Sequence, residues 1–510
     1  MKTFKSALYL TSTFFLFSSI ADANALDYIN KLRTEAGLPV MYQNNHLDDA
    51  AQNHSIYLER NNVTGHFEQS DKAGYTGQKP TDRVLYAGYS NRMVSENVSY
   101  GQGSVTASID DLMAAIYHIF GFLNAGNDEM GIGKLGSHYV YDMGNSKLSD
   151  LCADDNAYSG NGKYYYNVCA DKNKKIDADK YDSVVSDKAE TPDLVVWPPE
   201  NGSTVPPAFF GETPDPLPDY QVSGYPVSVQ FSQTDDANYY SHVSDVKISL
   251  KSAEGKEIKA IKQMDKYNDP NNELNQCQYV LFPESRLDWN SSYNATVEYK
   301  YDGETRSRTW TFYTQSVKDS NSLSQRYYSI KNNSNAKLDV VAGKWYAVYI
   351  APNDGNDTLG RSKYIYNAST VSIHRIDPNT VLIKLDGNTG KYATFTFDNG
   401  QKLKLVIAEN DTAKETVNTK NVDAYNENSA EVTTTTSANS NTANSSNAGN
   451  TVIDDSNNSE NTNVNDSDAS KKISSNSGDS LSIISLLAMI VITIMLGSFF
   501  IRNEQAAQIS

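Results

Sequence analysis

The sequence predicts a multidomain protein in which an N-terminal α+β domain precedes two all-β domains, a disordered stalk and a single membrane-spanning helix. Three observations lead to this prediction. Apolar residues follow a helical period before residue 150 and alternate, as in strands, after residue 191. The segment 481–501 is apolar and carries no charge. The full length of 510 residues corresponds to about three domains.

The first 25 residues have the three parts of a secretory signal peptide. Lys2 and Lys5 form a basic start, residues 7–20 are apolar, and an Ala-x-Ala cleavage pattern ends at Ala23 or Ala25. An uncleaved anchor helix is the alternative, but the apolar run is too short to cross a bilayer comfortably. We therefore expect the chain to be exported and the leader to be cleaved.

Residues 26–150 are expected to form the α+β domain, because helical stripes are combined with short strand-like runs. The stripe of the first helix is stopped by Gly37 and Pro39. The apolar positions of the three predicted helices are Leu26, Ile29 and Leu32; Leu47, Ala50, Ala51, His54, Tyr57 and Leu58; and Ile109, Leu112, Met113, Ile116 and Phe120. Gly131–Gly133 and Tyr139–Tyr141 are predicted as strands.

Residues 151–190 are predicted to be a linker that contains a disulfide loop. Cys152 and Cys169 lie 17 residues apart around a segment rich in Gly, Asn and Tyr, and a bridge of this length contributes about 3 kcal/mol. The acidic residues of the linker are expected to lie in a solvated loop. They do not have the spacing of a calcium-binding loop. Cys277 is left over and is expected to be a buried thiol.

The remaining folded part is predicted as two all-β domains, because short alternating runs are separated by turn sequences. Residues 191–318 begin with a proline-rich stretch unsuited to helices and central strands, and continue with the strand spacing of an immunoglobulin- or fibronectin-like sandwich. The predicted strands of this domain are Tyr225–Phe231, Val246–Leu250, Tyr279–Phe282, Tyr293–Tyr301 and Thr309–Tyr313. In residues 325–412 the clearest strands are Trp345–Ile350 and Tyr392–Phe397.

The C-terminal part is predicted to hold the folded domains at a membrane. Residues 413–480 are rich in Asn, Ser, Thr and Asp and cannot bury enough apolar surface to fold, so they are expected to form a disordered stalk. Residues 481–501 are long enough to cross a bilayer as a helix, and the polar tail 502–510 is unlike the end of a glycolipid-anchor signal. The expected location is the cell surface, or the periplasm-facing side of a membrane, with the N-terminal domains outside.

The formal net charge of −18 at pH 7 disfavours nucleic acid and anionic lipid surfaces as partners, because both require a basic face. Apart from the membrane itself, the expected partners are therefore a lipidic ligand, a glycan or another protein.

The N-terminal domain contains several short motifs whose order is informative. The motifs are Leu26-x-x-Ile29-Asn30-x-x-Arg33 leading to Ala36-Gly37-Leu38-Pro39, Gly65-His66, Asp82-Arg83 with Ala87-Gly88-Tyr89, Glu96-Asn97-Val98, His118 and Gly131-Ile132-Gly133. In this order the segment from about residue 26 to 145 resembles the CAP superfamily, the fold of cysteine-rich secretory proteins, venom antigens and plant pathogenesis-related proteins. It is most similar to the bacterial SCP-like branch, and the resemblance implies an α-β-α sandwich.

The resemblance also implies a cleft lined by two histidines and two acidic residues, which in some family members binds a divalent metal. The matching residues are His66, Glu96 and His118, whereas Ala115 stands where the second acid is expected. His138 follows the Gly-Ile-Gly motif, out of order, and is an additional candidate. Such residues could hold Zn²⁺ with a position open for water, and without metal a His–Glu pair could act as a general base.

Each histidine also has a purely structural interpretation. His54 lies in the apolar stripe of the second helix and is expected to be a packed core residue. Glu96 could brace a turn, and His118 could satisfy a buried carbonyl. Histidines without supporting context, expected to be structural or exposed, are His46, His242 and His374.

Two functions fit these patterns. The first is a surface-displayed binding module, and the second is a metal-assisted extracellular hydrolase acting on peptides or cell-wall material. The sequence has no Gly-x-Ser-x-Gly elbow and no His-Glu-x-x-His pair, so a recognisable nucleophile or metalloprotease motif is missing. We therefore favour binding over catalysis.

Overall fold

The computed structural model describes residues 25–186, 191–203, 205–233, 239–315, 327–330, 335–351, 358–410 and 450–453. The predicted membrane helix, most of the predicted stalk and all but the last residue of the predicted signal peptide lie outside these ranges. Within them, no helix combines the length and the apolar character needed to cross a membrane.

The N-terminal domain consists of five helices and a four-stranded sheet. The helices are α1 (25–35), α2 (Asn45–Asn61), α3 (Pro80–Tyr86), α4 (Val105–Leu112) and α5 (Ile116–Phe122). The strands are β1 (Tyr42–Gln43), β2 (Ser95–Tyr100), β3 (Glu129–Leu135) and β4 (His138–Gly144), in the sheet order β1-β3-β4-β2.

The sheet separates two layers of helices, because successive side chains of a strand point to opposite faces. Ile132 and Tyr141 belong to the core shared with α1, α4 and α5. Val140 points the other way and packs with Tyr57 and Leu58 of α2. The polar site described below lies on this second face, between the sheet, α2 and α3.

The first two predicted helices are confirmed. The whole predicted stripe of α2 is buried, and the side chain of Asn44 accepts hydrogen bonds from the amides of His46 and Leu47 at its start. The helix ends at Asn61 and is capped by Asn62, whose backbone is left-handed. After α1 the chain turns at Gly37, with a φ of +80°.

The third predicted helix is in fact two helices, so its predicted length was wrong. Residues 113–115 separate α4 from α5, and Ala115 is extended at the start of α5. The carbonyl of Met113 accepts a hydrogen bond from the hydroxyl of Tyr225, and Glu212 accepts from the amides at the start of α5. Tyr225 and Glu212 of the second domain therefore supply hydrogen-bond partners for the end of α4 and the beginning of α5.

Residues 146–185, which include most of the predicted linker 151–190, form a small packed unit. Its elements are α6 (Ser146–Ala153), β5 (Tyr164–Tyr165), β6 (Ile176–Asp177) and α7 (Ala178–Val185). Leu148, Val168 and Ile176 are fully buried in a core of its own. A disulfide joins Cys152 to Cys169, the pair inferred from the sequence, with the two Cα atoms 5.4 Å apart.

The second domain contains two four-stranded sheets. Its strands are β7 (Leu194–Trp197), β8 (Ala208–Phe209), β9 (Ser223–Gly224), β10 (Val227–Phe231), β11 (Val243–Ser252), β12 (Glu257–Ile258), β13 (Ala260–Asp265), β14 (Gln278–Pro283), β15 (Ser292–Tyr301) and β16 (Glu304–Tyr313). The sheet orders are β13-β14-β10-β7 and β12-β11-β15-β16, with β8 and β9 paired separately. All five predicted strands are present. The proline-rich stretch also supplies β7, which is an edge strand, where proline is tolerated.

The third domain is likewise made of strands. They are β17 (Tyr327–Ile330), β18 (Asn335–Val340), β19 (Trp345–Ile350), β20 (Ser362–Tyr366), β21 (Thr370–Asp377), β22 (Thr380–Asp386), β23 (Tyr392–Phe397), β24 (Lys402–Ile407) and β25 (Asn450–Ile453). The two sheets have the orders β17-β19-β22-β21 and β18-β24-β23-β20-β25. The two clearest predicted strands coincide with β19 and β23. Strand β25 comes from the segment predicted as stalk.

The domains contact one another through apolar and polar groups. One continuous hydrophobic core contains residues of both the N-terminal domain and the second domain, including Leu32 and Trp197. Between the second and third domains, Arg286 forms a bidentate pair with Asp377 at 2.8 and 2.7 Å. Trp289 packs beside this pair with Ala347 and Tyr349.

Candidate functional site

Polar side chains of the N-terminal domain meet in a buried cluster between α2, α3 and the sheet. We define the buried cluster as His54, Glu68, Arg83, Glu96 and Asp142. Helix α2 carries the histidine, α3 carries the arginine, and the loop between these helices carries Glu68. Glu96 on β2 lies directly opposite Asp142 on β4. His66 lies at the edge of the cluster, and its side chain is 34% exposed.

Glu96 is the centre of the site because it contacts both a cation and a histidine. Its Oε2 accepts from Arg83 Nη2 at 2.5 Å, and its Oε1 lies 2.8 Å from His66 Nδ1. Burial opposes its ionisation, but Arg83 and the two neighbouring histidines hold the pKa of Glu96 well below its ordinary value. The carboxylate is therefore ionised and orients the His66 ring, whose Nε2 points away from this contact.

Glu68 fixes the loop that carries His66. Its Oε1 lies 2.9 Å from His54 Nδ1, and its Oε2 accepts from the amides of Thr76 and Gly77 at 2.7 and 3.3 Å. The other ring nitrogen of His54 lies 3.0 Å from the carbonyl oxygen of Gly65. Both nitrogens of His54 thus face acceptors within the protein.

Asp142 is the acid of the cluster that no donor compensates. It is fully buried, and neither carboxyl oxygen accepts a hydrogen bond from the described residues. Burial, followed by the charge of Glu96, raises the pKa of Asp142 well above its ordinary value, although Arg83 opposes the shift. The geometry therefore favours a protonated Asp142 beside an ionised Glu96.

The structure brings together two of the three residues matched by motif, His66 and Glu96. His118 instead contacts the second domain, where its Nδ1 lies 2.9 Å from Oε2 of the buried Glu212. Glu212 also accepts from the amide of Ile116 at 2.6 Å. The partner of this histidine is therefore an acid that lies 94 residues further along the chain.

The additional candidate, His138, has a local structural environment. Its Nδ1 lies 2.9 Å from Glu59 Oε2, and its Nε2 lies 3.1 Å from the carbonyl oxygen of Val63. Its ring packs on Tyr100 with 4.6 Å between the ring centroids. These contacts connect β4 to the end of α2.

Sequence reasoning missed four members of the buried cluster as site residues. His54 was predicted to be a packed core residue. It is fully buried, but its ring contacts the carboxylate of Glu68 and so belongs to the polar site. Arg83 and Glu68 occur within or beside the quoted motifs, yet no role was assigned to them. Asp142 directly follows the predicted strand Tyr139–Tyr141, and this position beside apolar residues is its one signal in the sequence; its place opposite Glu96 has none.

The residues of the site do not fit a metal ion well. Both nitrogens of His54 are engaged, and the carboxylate of Glu96 is paired with a guanidinium, whose positive charge opposes a cation at that position. Among the described residues, no group of three or more His, Cys, Asp or Glu side chains is arranged to hold a metal. His66, Glu96 and His118 accordingly do not form the set of ligands that the motifs suggest.

Comparison with known proteins identifies the segment that carries this site. Residues 26–142 match the family model described as CAP, the cysteine-rich secretory protein family, so this segment is a CAP domain. A search of curated proteins gave no match.

The solved structures that resemble the chain do so over limited parts of it. An extracellular protein with an SCP domain from Bacillus anthracis is 17% identical, with a TM-score of 0.24, and the match covers 27% of this chain and 44% of that protein. An outer surface protein from Borrelia burgdorferi is 18% identical, with a TM-score of 0.22, over 24% of this chain and 90% of that one. A cysteine-rich secretory protein from Staphylococcus aureus is 20% identical, with a TM-score of 0.16, over 24% and 39%. The chain thus spans less than half of the Bacillus and Staphylococcus structures.

Proposed function

We propose that this chain is an exported surface protein whose CAP domain binds an extracellular ligand. The similar structures are named as extracellular, outer surface or secretory proteins, which supports the location. In this proposal the leader 1–25 directs export and the helix 481–501 anchors the chain. The second domain, as an immunoglobulin-like sandwich, and the third domain act with the stalk as spacers between the membrane and the CAP domain.

The observation that carries the proposal is the internal pairing of the buried cluster. Arg83 and Glu96 neutralise each other at 2.5 Å, and His54 and Glu68 lie 2.9 Å apart. These groups are therefore engaged in holding the loop and the sheet together, and they are not free to act on a substrate. Of the site residues, His66 is the one that is appreciably exposed.

The exposed edge of the site fits an amphipathic ligand. Nε2 of His66, which points outward, can form a hydrogen bond with a hydroxyl or carbonyl group of a ligand. The next residue, Phe67, is 42% exposed and offers an apolar surface. A sterol or another lipid with a small polar head combines these two features, so we place lipids ahead of glycans and proteins as the ligand class.

Binding of fluorescent NBD-labelled cholesterol to the full-length protein in detergent tests this proposal. His66→Ala and Phe67→Ala should each weaken binding about threefold to tenfold, the loss of one hydrogen bond or one apolar contact. His242→Ala is the matched control, because this histidine lies in the second domain and is 42% exposed. Equal affinities of wild type, the two site variants and the control would contradict the proposal, as would the absence of binding.

A second candidate function is extracellular hydrolysis, and the His66–Glu96 contact favours it. A histidine oriented by a carboxylate through Nδ1 presents Nε2 as a general base for water. Full-length protein should then cleave casein or release peptidoglycan fragments, and Glu96→Gln should abolish the activity. Elemental mass spectrometry of the same preparation, before and after His66→Ala, measures whether zinc is bound.

A further inference from the structure

The His66 ring is held from two sides, so its orientation is fixed before a ligand binds. Nδ1 of the ring lies 2.8 Å from Glu96 Oε1. Arg83 holds the backbone of the same residue, because its Nη1 donates to the carbonyl oxygen of His66 at 2.9 Å. The other terminal nitrogen of Arg83 donates to Glu96 Oε2. One guanidinium thus positions both the histidine and the carboxylate that contacts its ring.

The charge of Glu96 determines which nitrogen of His66 carries the proton. An ionised carboxylate only accepts hydrogen bonds, and Arg83 on Oε2 stabilises this charged form. Both nitrogens of His54 face acceptors, so this ring is a donor on both sides, and its Nε2 lies 4.0 Å from Glu96 Oε1. Nδ1 of His66 must therefore be the donor to Glu96. In the neutral His66 ring, Nε2 then has no proton and is an acceptor.

Nε2 is the open end of the His66 ring. None of the described residues forms a hydrogen bond with it, and the side chain is 34% exposed. The exposed ring of Phe67 follows directly in the chain. A ligand at this edge of the buried cluster therefore meets a hydrogen-bond acceptor beside an apolar surface. Only a donor can pair with that acceptor, because two acceptors that face each other both remain unpaired.

We propose that this site selects amphipathic ligands whose polar head donates a hydrogen bond, such as an alcohol, over ligands whose head only accepts one, such as a ketone. The inference rests on the proposed function and specifies the ligand class of the same site. The hydroxyl of the ligand donates to Nε2 of His66, and its apolar body lies on Phe67. Glu96 acts through His66 and is a positioning residue, since it sets the tautomer without touching the ligand.

Competition against NBD-labelled cholesterol on the full-length protein in detergent tests this selectivity. The measurement is made at about pH 8, where an ordinary imidazole is neutral. The two competitors are cholestanol and cholestanone, which share one carbon skeleton and differ in carrying a hydroxyl or a ketone. Cholestanone should bind at least about fivefold more weakly to the wild type, because it leaves Nε2 unpaired. In His66→Ala the two competitors should bind equally, since the acceptor that distinguishes them is gone.

Glu96→Gln tests the positioning role, because it changes the tautomer and keeps the shape of the side chain. The amide oxygen of the glutamine can accept from Arg83, so its NH₂ group faces Nδ1 of His66, which must then accept. The ring proton moves to Nε2, which can donate to a ketone as well as to a hydroxyl. The affinities of the two competitors should then agree within about twofold. A residue with a merely structural role would weaken both competitors by the same factor and leave their ratio unchanged.

Glu59→Gln is the matched control, because it alters another His–Glu pair of the CAP domain, with His138 Nδ1 at 2.9 Å, and should keep the wild-type ratio. Thermal unfolding by circular dichroism checks that each variant folds, and the wild-type comparison depends on none of them. Equal binding of the competitors to wild type, or tighter binding of cholestanone, would overturn the selectivity and leave the proposed function intact. A wild-type ratio in Glu96→Gln would overturn the role of Glu96. Binding of neither competitor would contradict the proposed function itself, and this inference with it.

Discussion

At the scale of single residues, the buried cluster is organised by one guanidinium among three carboxyl groups. Arg83 is fully buried, with Glu96 at 2.5 Å and Glu68 at 3.9 Å. Burial lowers the pKa of Arg83, but the surrounding acids, Glu96 first, produce a net increase. A single positive charge compensates Glu96, so ionising Asp142 as well would leave an uncompensated buried charge. The raised pKa of Asp142 therefore contributes a pH dependence to the stability of this domain.

Asp142→Asn should stabilise the protein at neutral and alkaline pH. Because the folded-state pKa of Asp142 lies above its unfolded value, its contribution is fully present below about pH 4 and is lost as the pH rises towards the folded pKa. Over that window the wild type should lose about 1.4 kcal/mol per pH unit from this group. The asparagine amide can replace the acid proton as a donor to Glu96 without this loss. Urea unfolding followed between pH 4 and pH 8 measures the difference.

Asp155→Asn is the control for this prediction, because Asp155 is exposed in the unit that carries the disulfide. It should leave the pH dependence unchanged. If Asp142→Asn and wild type have the same free energy of unfolding at pH 4 and again at pH 8, the pKa of Asp142 is not raised in the folded protein.

The resemblance to the CAP family assigned His66 and Glu96 to one cleft, and their side chains are in contact although they lie 30 residues apart in the sequence. The motifs could not reveal Asp142, because its proximity to Glu96 depends on the register between β2 and β4. They also could not reveal the partner of His118, since Glu212 belongs to another domain. Motifs of one segment therefore do not predict contacts that depend on strand register or on another domain.

At the scale of elements, the Gly-Ile-Gly motif in β3 allows α2 to lie directly on the sheet. A Cβ atom at Gly131 would come 1.9 Å from the carbonyl carbon of Leu47, and one at Gly133 would come 2.1 Å from that of Ala51. Both neighbours are helix backbone, which cannot move away as a side chain can. The amide of Ile132 also donates to Asp48 of α2 at 2.9 Å.

Gly131→Ala should therefore destabilise the CAP domain by more than about 3 kcal/mol, because the helix must move off the sheet. Gly103→Ala is the matched control, since nothing lies within 4 Å of a Cβ at that position. Thermal unfolding by far-ultraviolet circular dichroism compares the two. Equal melting temperatures for both variants would show that α2 does not pack as closely as the structure indicates.

Helices α1 and α2 were predictable because their apolar stripes and end signals are local. The break between α4 and α5 was not, since the apolar spacing continues through Met113 to Ile116 and the groups that interrupt it come from the second domain. The packed unit after residue 146 was also missed. Its high content of glycine, asparagine and tyrosine is typical of a loop. The few apolar residues that form its core are widely spaced in the sequence.

At the scale of the whole molecule, the CAP domain and the second domain form a continuous structure. Their buried residues belong to one hydrophobic core, and Tyr225 contacts Met113 across the boundary. The hydroxyl of Tyr117 donates to Asp269, and Asn271 donates to that hydroxyl at 3.1 Å. Sequence reasoning treated these domains as separate, because contacts between segments 100 or more residues apart leave no periodic pattern. The second domain therefore packs against the CAP domain and supplies the hydrogen-bond partners at the boundary between α4 and α5.

Glu212→Ala should loosen the two domains together. The substitution removes the acceptor of the Ile116 and Tyr117 amides and the partner of His118, and leaving such buried groups unpaired costs about 1–3 kcal/mol. Hydrogen-exchange mass spectrometry should show faster exchange in residues 116–122 of the CAP domain and in the segment around Tyr225. Glu200→Ala is the control, because Glu200 is 57% exposed and lies 3.9 Å from Arg308. Faster exchange confined to the second domain would mean that Glu212 does not couple it to α5, and the two domains would then be stabilised independently.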